Sequence, residues 1–254
     1  AAWQVRVGAT NLYLIDTNVE QNTPADRELS ARLYIADRDV RIQQEIVLGI
    51  GGVRVLRVLG IRPSLWHANE GHTAFMMLER IKEEVNSGTP FGKAVEKVRA
   101  STVFTTHTPV PAGHDVFSLD LMDRYLSDYY TQLGVDRETI LKMGRENHHT
   151  GGFNMTALAL AASEHRNAVS QLHGIVARKM WQGYWPQVKN EDDVPIVHVT
   201  NGVHVPTWIA ADMNKLFEKY LAPDWVARHD DPEIWNRVMD IPDEELWRVR
   251  SRLK

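Results

Sequence analysis

The chain has 254 residues, of which 43% are hydrophobic and 24% charged, with a formal net charge of −4. These values are typical of a globular protein with one large or two modest domains, and the lack of basic excess argues against nucleic acid or an anionic membrane as a partner. The absence of cysteine excludes disulfides, thiolate metal ligands and cysteine nucleophiles. No run approaches the roughly 18 apolar residues of a membrane span.

The first predicted elements are strands. Alternating apolar residues predict strands over 3–7 and 12–15, and the polar residues 20–24 predict a loop. This pattern differs from that of a signal peptide. The absence of cysteine fits a cytosolic protein, and we expect a cytoplasmic location. The chain begins at Ala1 rather than at a methionine, and we expect it to be an internal piece of a longer protein.

A helix is predicted over 39–59, where apolar residues recur at helical spacing. Gly49, Gly51 and Gly52 interrupt this pattern. Glycine weakens a helix by about 1 kcal/mol relative to alanine. We therefore expect these glycines to permit close packing against a neighbouring element or a ligand.

Strands and helices alternate through the remaining sequence. The predicted strands lie at 64–67, 101–106 and 194–199, and the predicted helices at 73–85, 90–100, 119–133 and 154–180, with two more within 232–254. This alternation predicts an α/β fold, with a Rossmann-like parallel sheet flanked by helices. Ligands of such sheets bind at the carboxyl ends of the strands. The polar segments 69–72, 106–108 and 200–202 follow three of these ends.

The densest polar cluster contains His67, Asn69, Glu70 and His72. Its spacing does not match the helical His-Glu-x-x-His pattern of zinc sites, which argues against a metal. Asn69 could cap the next helix by accepting the N–H of His72, with Glu70 at the positive helix end. The cluster is therefore either a helix cap or a binding site for a polar ligand.

His107 ends a predicted buried strand and precedes a loop rich in proline. This position favours a polar loop that faces the sheet crevice over a buried, structural histidine. The hydroxyl groups of Thr105, Thr106 and Thr108 surround it and would suit hydrogen bonds to a sugar. Asn201, followed by Gly202, is either a binding residue or part of a simple turn.

Other polar residues favour structural interpretations. Asn154, Asn167 and His173 fall within the predicted helix 154–180, where buried amides are normally satisfied by the protein itself. The segment 164–166 is most simply a solvated helix face, and His148 with His149 suggests a loop. Glycine-rich nucleotide motifs and the Gly-x-Ser-x-Gly elbow are absent. The residues alone therefore predict an α/β chain with a crevice for a polar ligand.

Eight segments together resemble the α-glucan phosphorylases, in the compact bacterial and archaeal branch of that family. They are Leu14–Asn18, Pro24–Glu28, Gln44–Gly52, Trp66–His72, Thr102–Phe117, Asn154–Thr156, Asn167–His173 and Val199–Val203. Each segment alone is weak evidence for the family, but all eight together, in the family's order, are specific evidence.

The resemblance implies two Rossmann-like domains that face a deep cleft. Residues 1–210 would form the later part of the N-terminal domain, and 211–254 a helical segment that leads into the C-terminal domain. Such enzymes release glucose 1-phosphate from the non-reducing ends of α-1,4-glucan, using inorganic phosphate, with retention of configuration. Their pyridoxal phosphate acts through its phosphate as a proton relay, and most are homo-oligomers.

The resemblance also implies roles for particular residues. His107 would be the catalytic residue that lines the glucosyl subsite, contacting the sugar 6-hydroxyl while its carbonyl faces the reacting centre. Asn201 would bind the same hydroxyl. Glu70 stands where better-known members carry aspartate, beside the equivalent of His72, and both are expected to bind substrate.

Further expectations concern the pocket wall and the cofactor. The resemblance places Val169 in the wall of the glucosyl pocket, with Asn167 on the same predicted helix. The cofactor-binding lysine and the phosphate-binding Arg–Lys group are expected beyond Lys254, and the glycine-rich loop over the cofactor before Ala1. Lys179 lacks a matching context. This chain alone is thus expected to bind neither pyridoxal phosphate nor metal and to be inactive.

Two other functions stay open at this point. A glycosyltransferase of the glycogen-synthase type shares the architecture and the glucan acceptor but would depend on ADP-glucose. A non-catalytic glucan-binding module would bind maltodextrin without chemistry.

Overall fold

A computed structural model describes residues 1–33, 35–145 and 151–254. His148 and His149, predicted as part of a loop, lie outside these ranges. The chain forms two compact units, residues 1–200 and 201–254. The predicted division at 210/211 refers to domains of the intact protein and stays a prediction. Within the described ranges, no helix is long and apolar enough to cross a membrane.

The first unit contains eight strands and nine α-helices among its described residues. The strands are β1 Ala2–Val7, β2 Thr10–Ile15, β3 Trp66–Asn69, β4 Thr102–Thr106, β5 Val116–Phe117, β6 Phe153–Asn154, β7 His165–Ala168 and β8 Val197–His198. The helices are α1 Pro24–Arg27, α2 Arg38–Ile46, α3 Gly52–Val58, α4 Phe75–Asn86, α5 Phe91–Ala100, α6 Leu119–Gln132, α7 Arg137–Met143, α8 Met155–Ala161 and α9 Gln171–Trp181.

A four-stranded sheet in the order β3-β4-β7-β8 organises this unit, and all of its pairings are parallel. The α/β fold predicted from the sequence is therefore confirmed. Phe104, on the inner strand β4, is fully buried together with Phe75 of α4. Because the strands are parallel, their carboxyl ends lie along one edge of the sheet, where the connecting loops can converge.

Two smaller antiparallel pairs accompany the sheet. β1 and β2 form a hairpin in which Ala2 faces Ile15 and Val7 faces Thr10. β5 and β6 pair over two residues each. The strands predicted at 3–7 and 12–15 are thus confirmed, although most of their residues are exposed.

The single helix predicted at 154–180 is wrong. The segment folds as α8, strand β7 and α9. β7 has the sequence His-Arg-Asn-Ala, which contains neither β-branched nor aromatic residues, so its composition conceals a strand. Asn167 consequently lies on β7 rather than on a helix, and Val169 follows the strand end. The last strand, β8, is also shorter than predicted, and its Val197 is 63% exposed rather than buried.

The glycine-rich part of the first long helix packs closely against α4. Residues Val47–Gly51 form a π-helical turn between α2 and α3. A Cβ atom on Gly49 would lie 2.7 Å from the Met76 backbone nitrogen and 2.8 Å from the Phe75 Cβ. The predicted close packing is therefore confirmed at Gly49.

Gly49→Ala is expected to lower the free energy of unfolding by about 1–3 kcal/mol, because backbone atoms of α4 must shift to admit the methyl group. Gly51→Ala is the matched control, since a Cβ there would meet its nearest atom, the Ile46 carbonyl oxygen, only at 4.0 Å. That control should be neutral or gain up to about 1 kcal/mol in helix propensity. Urea unfolding of both variants checks the prediction, and equal effects would contradict it.

The second unit is helical. Its helices are α10 Val205–Trp208, α11 Ala211–Tyr220, α12 Pro232–Asn236 and α13 Asp243–Leu253. Trp225 is fully buried at its centre and packs edge-on against Phe217 of α11, with ring centroids 5.2 Å apart. The two helices predicted within 232–254 are confirmed.

Candidate functional site

The carboxyl ends of β3 and β4 meet through the side chain of Glu70. Its Oε1 accepts a hydrogen bond from the His107 backbone N–H and another from the Thr108 N–H at 2.9 Å. The Thr106 hydroxyl donates to the same oxygen at 3.2 Å. The Gly71 N–H donates to the other carboxylate oxygen, also at 3.2 Å. The predicted polar segments 69–72 and 106–108 are therefore in direct contact.

The backbone of Glu70 makes these contacts possible. Its φ is 69° and its ψ 168°, and it is the one non-glycine residue with a positive φ among those described. Such conformations cost about 1–3 kcal/mol and are maintained by surrounding interactions. Glu70 is also the N-cap of the short 3-10 turn Gly71–Thr73, so the prediction that Asn69 caps this helix is wrong. The turn at Glu70 brings its own carboxylate, instead of the Asn69 amide, to the helix start.

Gly71 fixes the position of this turn against α8. A Cβ on Gly71 would lie 2.7 Å from the Thr156 hydroxyl and 3.1 Å from the Thr156 backbone nitrogen. The same hydroxyl lies 2.9 Å from Nδ1 of His114, a buried histidine whose pKa burial lowers. The loop after β3 is thus fixed by its close fit against α8.

The side chain of His107 is accessible at the sheet edge. It is 36% exposed, and its Nδ1 lies 3.8 Å from Glu70 Oε1. This exposure agrees with the predicted polar loop rather than with a buried, structural histidine. Both the ring and the backbone of His107 are therefore positioned next to the Glu70 carboxylate.

Near His107, hydrogen bonds connect polar side chains on the three neighbouring strands β3, β4 and β7. The Thr105 hydroxyl donates to Asn167 Oδ1 at 2.9 Å and lies 2.7 Å from His67 Nε2. Since the Thr105 hydrogen is used toward Asn167, Nε2 of His67 is the donor in the second contact. Asn167 and Thr105 are partners in the β4–β7 register, which places Asn167 one strand away from His107.

His72 lies beside a cavity of about 1040 Å³. The cavity is lined on its polar side by Arg41, Gln44, Glu45, His67, Asn69, His72 and Thr73. Burial lowers the pKa of His72, and the nearby positive charge of Arg41 adds to this effect. The arrangement favours a neutral imidazole at this position.

Arg41, which lines this cavity, forms an ion pair with Asp115. Arg41 Nη2 lies 3.0 Å from Asp115 Oδ2, and Arg38 contacts the other Asp115 oxygen. Burial acts to raise the pKa of Asp115, but hydrogen bonds from Glu45 and Arg41 outweigh it and hold the pKa below its ordinary value. Asp115 is therefore an anion that is neutralised by the arginines of α2.

The two remaining predicted residues, Val169 and Asn201, belong to different units of the chain. Val169 follows β7 at the same edge of the sheet, is half-buried, and directs its N–H to His173 Nδ1 at 3.4 Å. Asn201 is exposed at the start of the second unit. The first unit thus places the carboxyl-terminal segments of β3, β4 and β7 along one edge, whereas Asn201 belongs to the other unit.

The chain matches known phosphorylases along its whole length. It is 44% identical over 253 residues to the maltodextrin phosphorylase of Thermococcus litoralis, an alignment that covers 100% of this chain and 30% of that protein. It is 41% identical over 256 residues to the glycogen phosphorylase of Aquifex aeolicus, covering 99% of this chain and 36% of the relative. The glycogen phosphorylase of Mycobacterium tuberculosis is 39% identical over 264 residues, covering 99% and 30%.

The chain is a segment of the glycogen and maltodextrin phosphorylase family. It spans about a third of the length of these relatives. No profile of a known protein family matches it. The resemblance stated from the sequence is confirmed at the level of the family.

Sequence reasoning missed several residues of this phosphorylase segment. Thr105 was recognised only as a hydroxyl near His107, and the contact of Arg41 with Asp115 joins residues 74 positions apart. Nothing in the local composition marks the strand that carries Asn167, because β7 contains no β-branched residue. Among the described residues, no group of three His, Asp or Glu side chains is arranged to hold a metal ion.

Proposed function

We propose that this chain is part of an α-1,4-glucan phosphorylase, a glycosyltransferase that releases glucose 1-phosphate from glycogen or maltodextrin with inorganic phosphate and retention of configuration. The observation that carries the proposal is the meeting of Glu70 and His107 at the carboxyl edge of the sheet, in a chain 39–44% identical to named phosphorylases. Cytoplasmic location and homo-oligomerisation of the intact protein belong to the same proposal.

The chemistry of the site suits a neutral polyhydroxyl substrate. The edge offers an exposed imidazole at His107 and the half-buried amide of Asn167, both of which can hydrogen-bond to sugar hydroxyls. His72 and Val169 would line the same subsite, and Asn201 would bind the glucosyl unit in the intact enzyme. An oxocarbenium-like centre is stabilised by acceptors and dipoles that are already in position.

Pyridoxal phosphate is proposed for the intact enzyme, held by residues outside this chain. Lys82 is the buried lysine among those described, and its Nζ lies 2.9 Å from Glu79 Oε2. Because this ammonium is already ion-paired, Lys82 does not fit a Schiff base with the cofactor. When bound, the cofactor would supply its phosphate for proton transfer. The residues of this chain would bind and orient the glucosyl unit.

The intact parent protein, loaded with pyridoxal phosphate, is expected to release glucose 1-phosphate from maltodextrin only when inorganic phosphate is present. His107→Ala and Asn201→Ala should each lower kcat/KM by about 10–100-fold, because each removes a hydrogen bond to the glucosyl unit. His165→Ala is the matched control, since His165 is exposed at the opposite end of β7.

Four outcomes would contradict this proposal. No phosphate-dependent release from the loaded parent would reject the phosphorylase reaction, and glucosyl transfer from ADP-glucose would favour a synthase-type enzyme. Binding of maltodextrin without turnover would favour a glucan-binding module. Full activity of both site variants would reject the assigned residues.

A further inference from the structure

The hydrogen-bonding capacity of Glu70 is directed to the chain itself. Oε1 accepts from two consecutive backbone N–H groups, those of His107 and Thr108, and from the Thr106 hydroxyl. Oε2 accepts from Gly71. The side chain is only 13% exposed. A carboxylate offers about four lone-pair sites, so little capacity remains for a sugar hydroxyl.

The bond from Thr108 determines where the His107 carbonyl points. The Thr108 N–H and the His107 C=O belong to one planar peptide unit, in which the two groups point in opposite directions. Since this N–H points at Glu70 Oε1 from 2.9 Å, the His107 carbonyl oxygen points away from Glu70. The His107 N–H fixes the preceding peptide unit in the same way.

The negative charge of Glu70 also acts on this peptide. Hydrogen bonds to an ionised acceptor are about twice as strong as neutral ones, and linked hydrogen bonds polarise one another. A peptide whose N–H donates to a carboxylate therefore carries more negative charge on its carbonyl oxygen. Such an oxygen is a better partner for positive charge that develops on a sugar ring.

We propose that Glu70 is a positioning residue, which aims and polarises the His107 carbonyl toward the reacting sugar carbon and does not itself bind the glucan. This inference rests on the proposed phosphorylase function and revises the expectation that Glu70 contacts substrate. It also gives a reason for the positive φ at Glu70, since the carboxylate accepts from both N–H groups in this backbone conformation.

The test uses the intact, cofactor-loaded parent protein. Glu70→Gln preserves the side-chain length and one acceptor oxygen but removes the charge. It is expected to lower kcat by about 10–100-fold, with KM for maltodextrin changed by less than about 3-fold, because the carbonyl acts in the transition state rather than in ground-state binding. Glu96→Gln is the matched control at an exposed position and should leave both constants unchanged.

Deoxy analogues of glucose 1-phosphate, used as donors in the synthetic direction, separate positioning from direct binding. If Glu70 positions His107, removing any sugar hydroxyl other than the 6-hydroxyl, which is assigned to His107 itself, should lower kcat/KM by the same factor in the wild type and in Glu70→Gln. If Glu70 binds a hydroxyl, the matching deoxy donor should lose activity with the wild type but hardly with the variant. A difference above about 5-fold for any hydroxyl other than the 6-hydroxyl, or an unchanged kcat, overturns the inference.

Glu70→Asp keeps the test decisive if Glu70→Gln does not fold, as judged by thermal unfolding. Aspartate restores the charge at a shorter reach, so kcat should lie between those of wild type and Glu70→Gln, with the same additive response to the deoxy donors. A wild type that lacks phosphate-dependent activity would instead reject the proposed function. An active wild type with hydroxyl-specific coupling in the variants would reject only the positioning role.

Discussion

Arg166→Ala is expected to lower the free energy of unfolding by about 3 kcal/mol, because buried carbonyl oxygens lose the hydrogen bonds that the guanidinium donates. The Arg166 guanidinium donates to the carbonyl oxygen of Leu160 at 3.0 Å and to those of Ser163 and Glu164. The first two of these carbonyls lie at or just beyond the end of α8, where the helix leaves its last carbonyls without intrahelical partners. Alanine would leave them buried and unsatisfied.

The environment of Arg166 is unusual for a charged side chain. The residue is 8% exposed, and its guanidinium lies 5.4 Å from the centroid of the Trp185 ring. Burial lowers its pKa to about 10, with a further contribution from the charge of Arg99. The negative end of the α8 dipole and the face of the tryptophan ring compensate this charge in place of a carboxylate.

Two further substitutions at Arg166 test this explanation by urea unfolding. Arg166→Met keeps an apolar stem but no donor, and should destabilise nearly as much as alanine. Arg166→Lys keeps the charge but not the planar fork, and should fall between wild type and methionine. His165→Ala, at the exposed neighbouring position of β7, should change stability by less than about 0.5 kcal/mol. Equal effects at positions 165 and 166 would reject the capping role.

The interpretation of 164–166 as a solvated face holds for the exposed Glu164 and His165 but is wrong for the buried Arg166, and this failure has a physical cause. A polar four-residue strand between two helices carries no period-2 hydrophobic signal, and charge is ordinarily a mark of exposure. Arg166 is buried because its donors match carbonyls made available by the end of α8. By contrast, β4 was predictable from its run of β-branched and aromatic residues, and its bounds agree within one residue.

The candidate site was predictable in place but not in detail. The rule that ligands bind at strand carboxyl ends located the segments of Glu70 and His107, and the structure brings these two together. The cap was wrongly assigned to Asn69 because residue type does not reveal a positive φ at the neighbouring glutamate. Similarly, nothing in the local sequence pairs Arg41 with Asp115, since that contact depends on how α2 packs in the fold.

Two buried glutamates of this chain have pKa values shifted in opposite directions. Burial, together with the nearby charge of Asp115, raises the pKa of Glu45 from its ordinary 4.5 to about 9. Arg41 Nε lies 3.0 Å from Glu45 Oε1 and only partly offsets this rise. For Glu79, burial acts in the same raising direction, but hydrogen bonds from Arg54, Tyr129 and Lys82 outweigh it and lower the pKa.

Glu45 is therefore expected to make the folded state less stable as the pH rises from about 5 to 9. In this range the folded state keeps a proton on Glu45 that the unfolded state has lost, so the free energy of unfolding falls by up to about 1.4 kcal/mol per pH unit, or up to about 4 kcal/mol between pH 5.5 and 8.5. The lowered pKa of Asp115 keeps that group ionised throughout the range, so it adds no slope.

Glu45→Gln should remove this slope, because glutamine retains the shape of the side chain but does not titrate. The variant is expected to be close to wild type at pH 5.5 and clearly more stable at pH 8.5, as measured by urea unfolding at both values. Glu79→Gln provides a control of opposite sign. Its wild-type carboxylate contributes stability that is present above pH 4.5 and is lost as the pH falls through the lowered folded pKa. Glu79→Gln should therefore be destabilised at neutral pH and approach the stability of wild type in acid. If the effect of Glu45→Gln on stability does not depend on pH, Glu45 is ionised in the folded protein and the prediction is wrong.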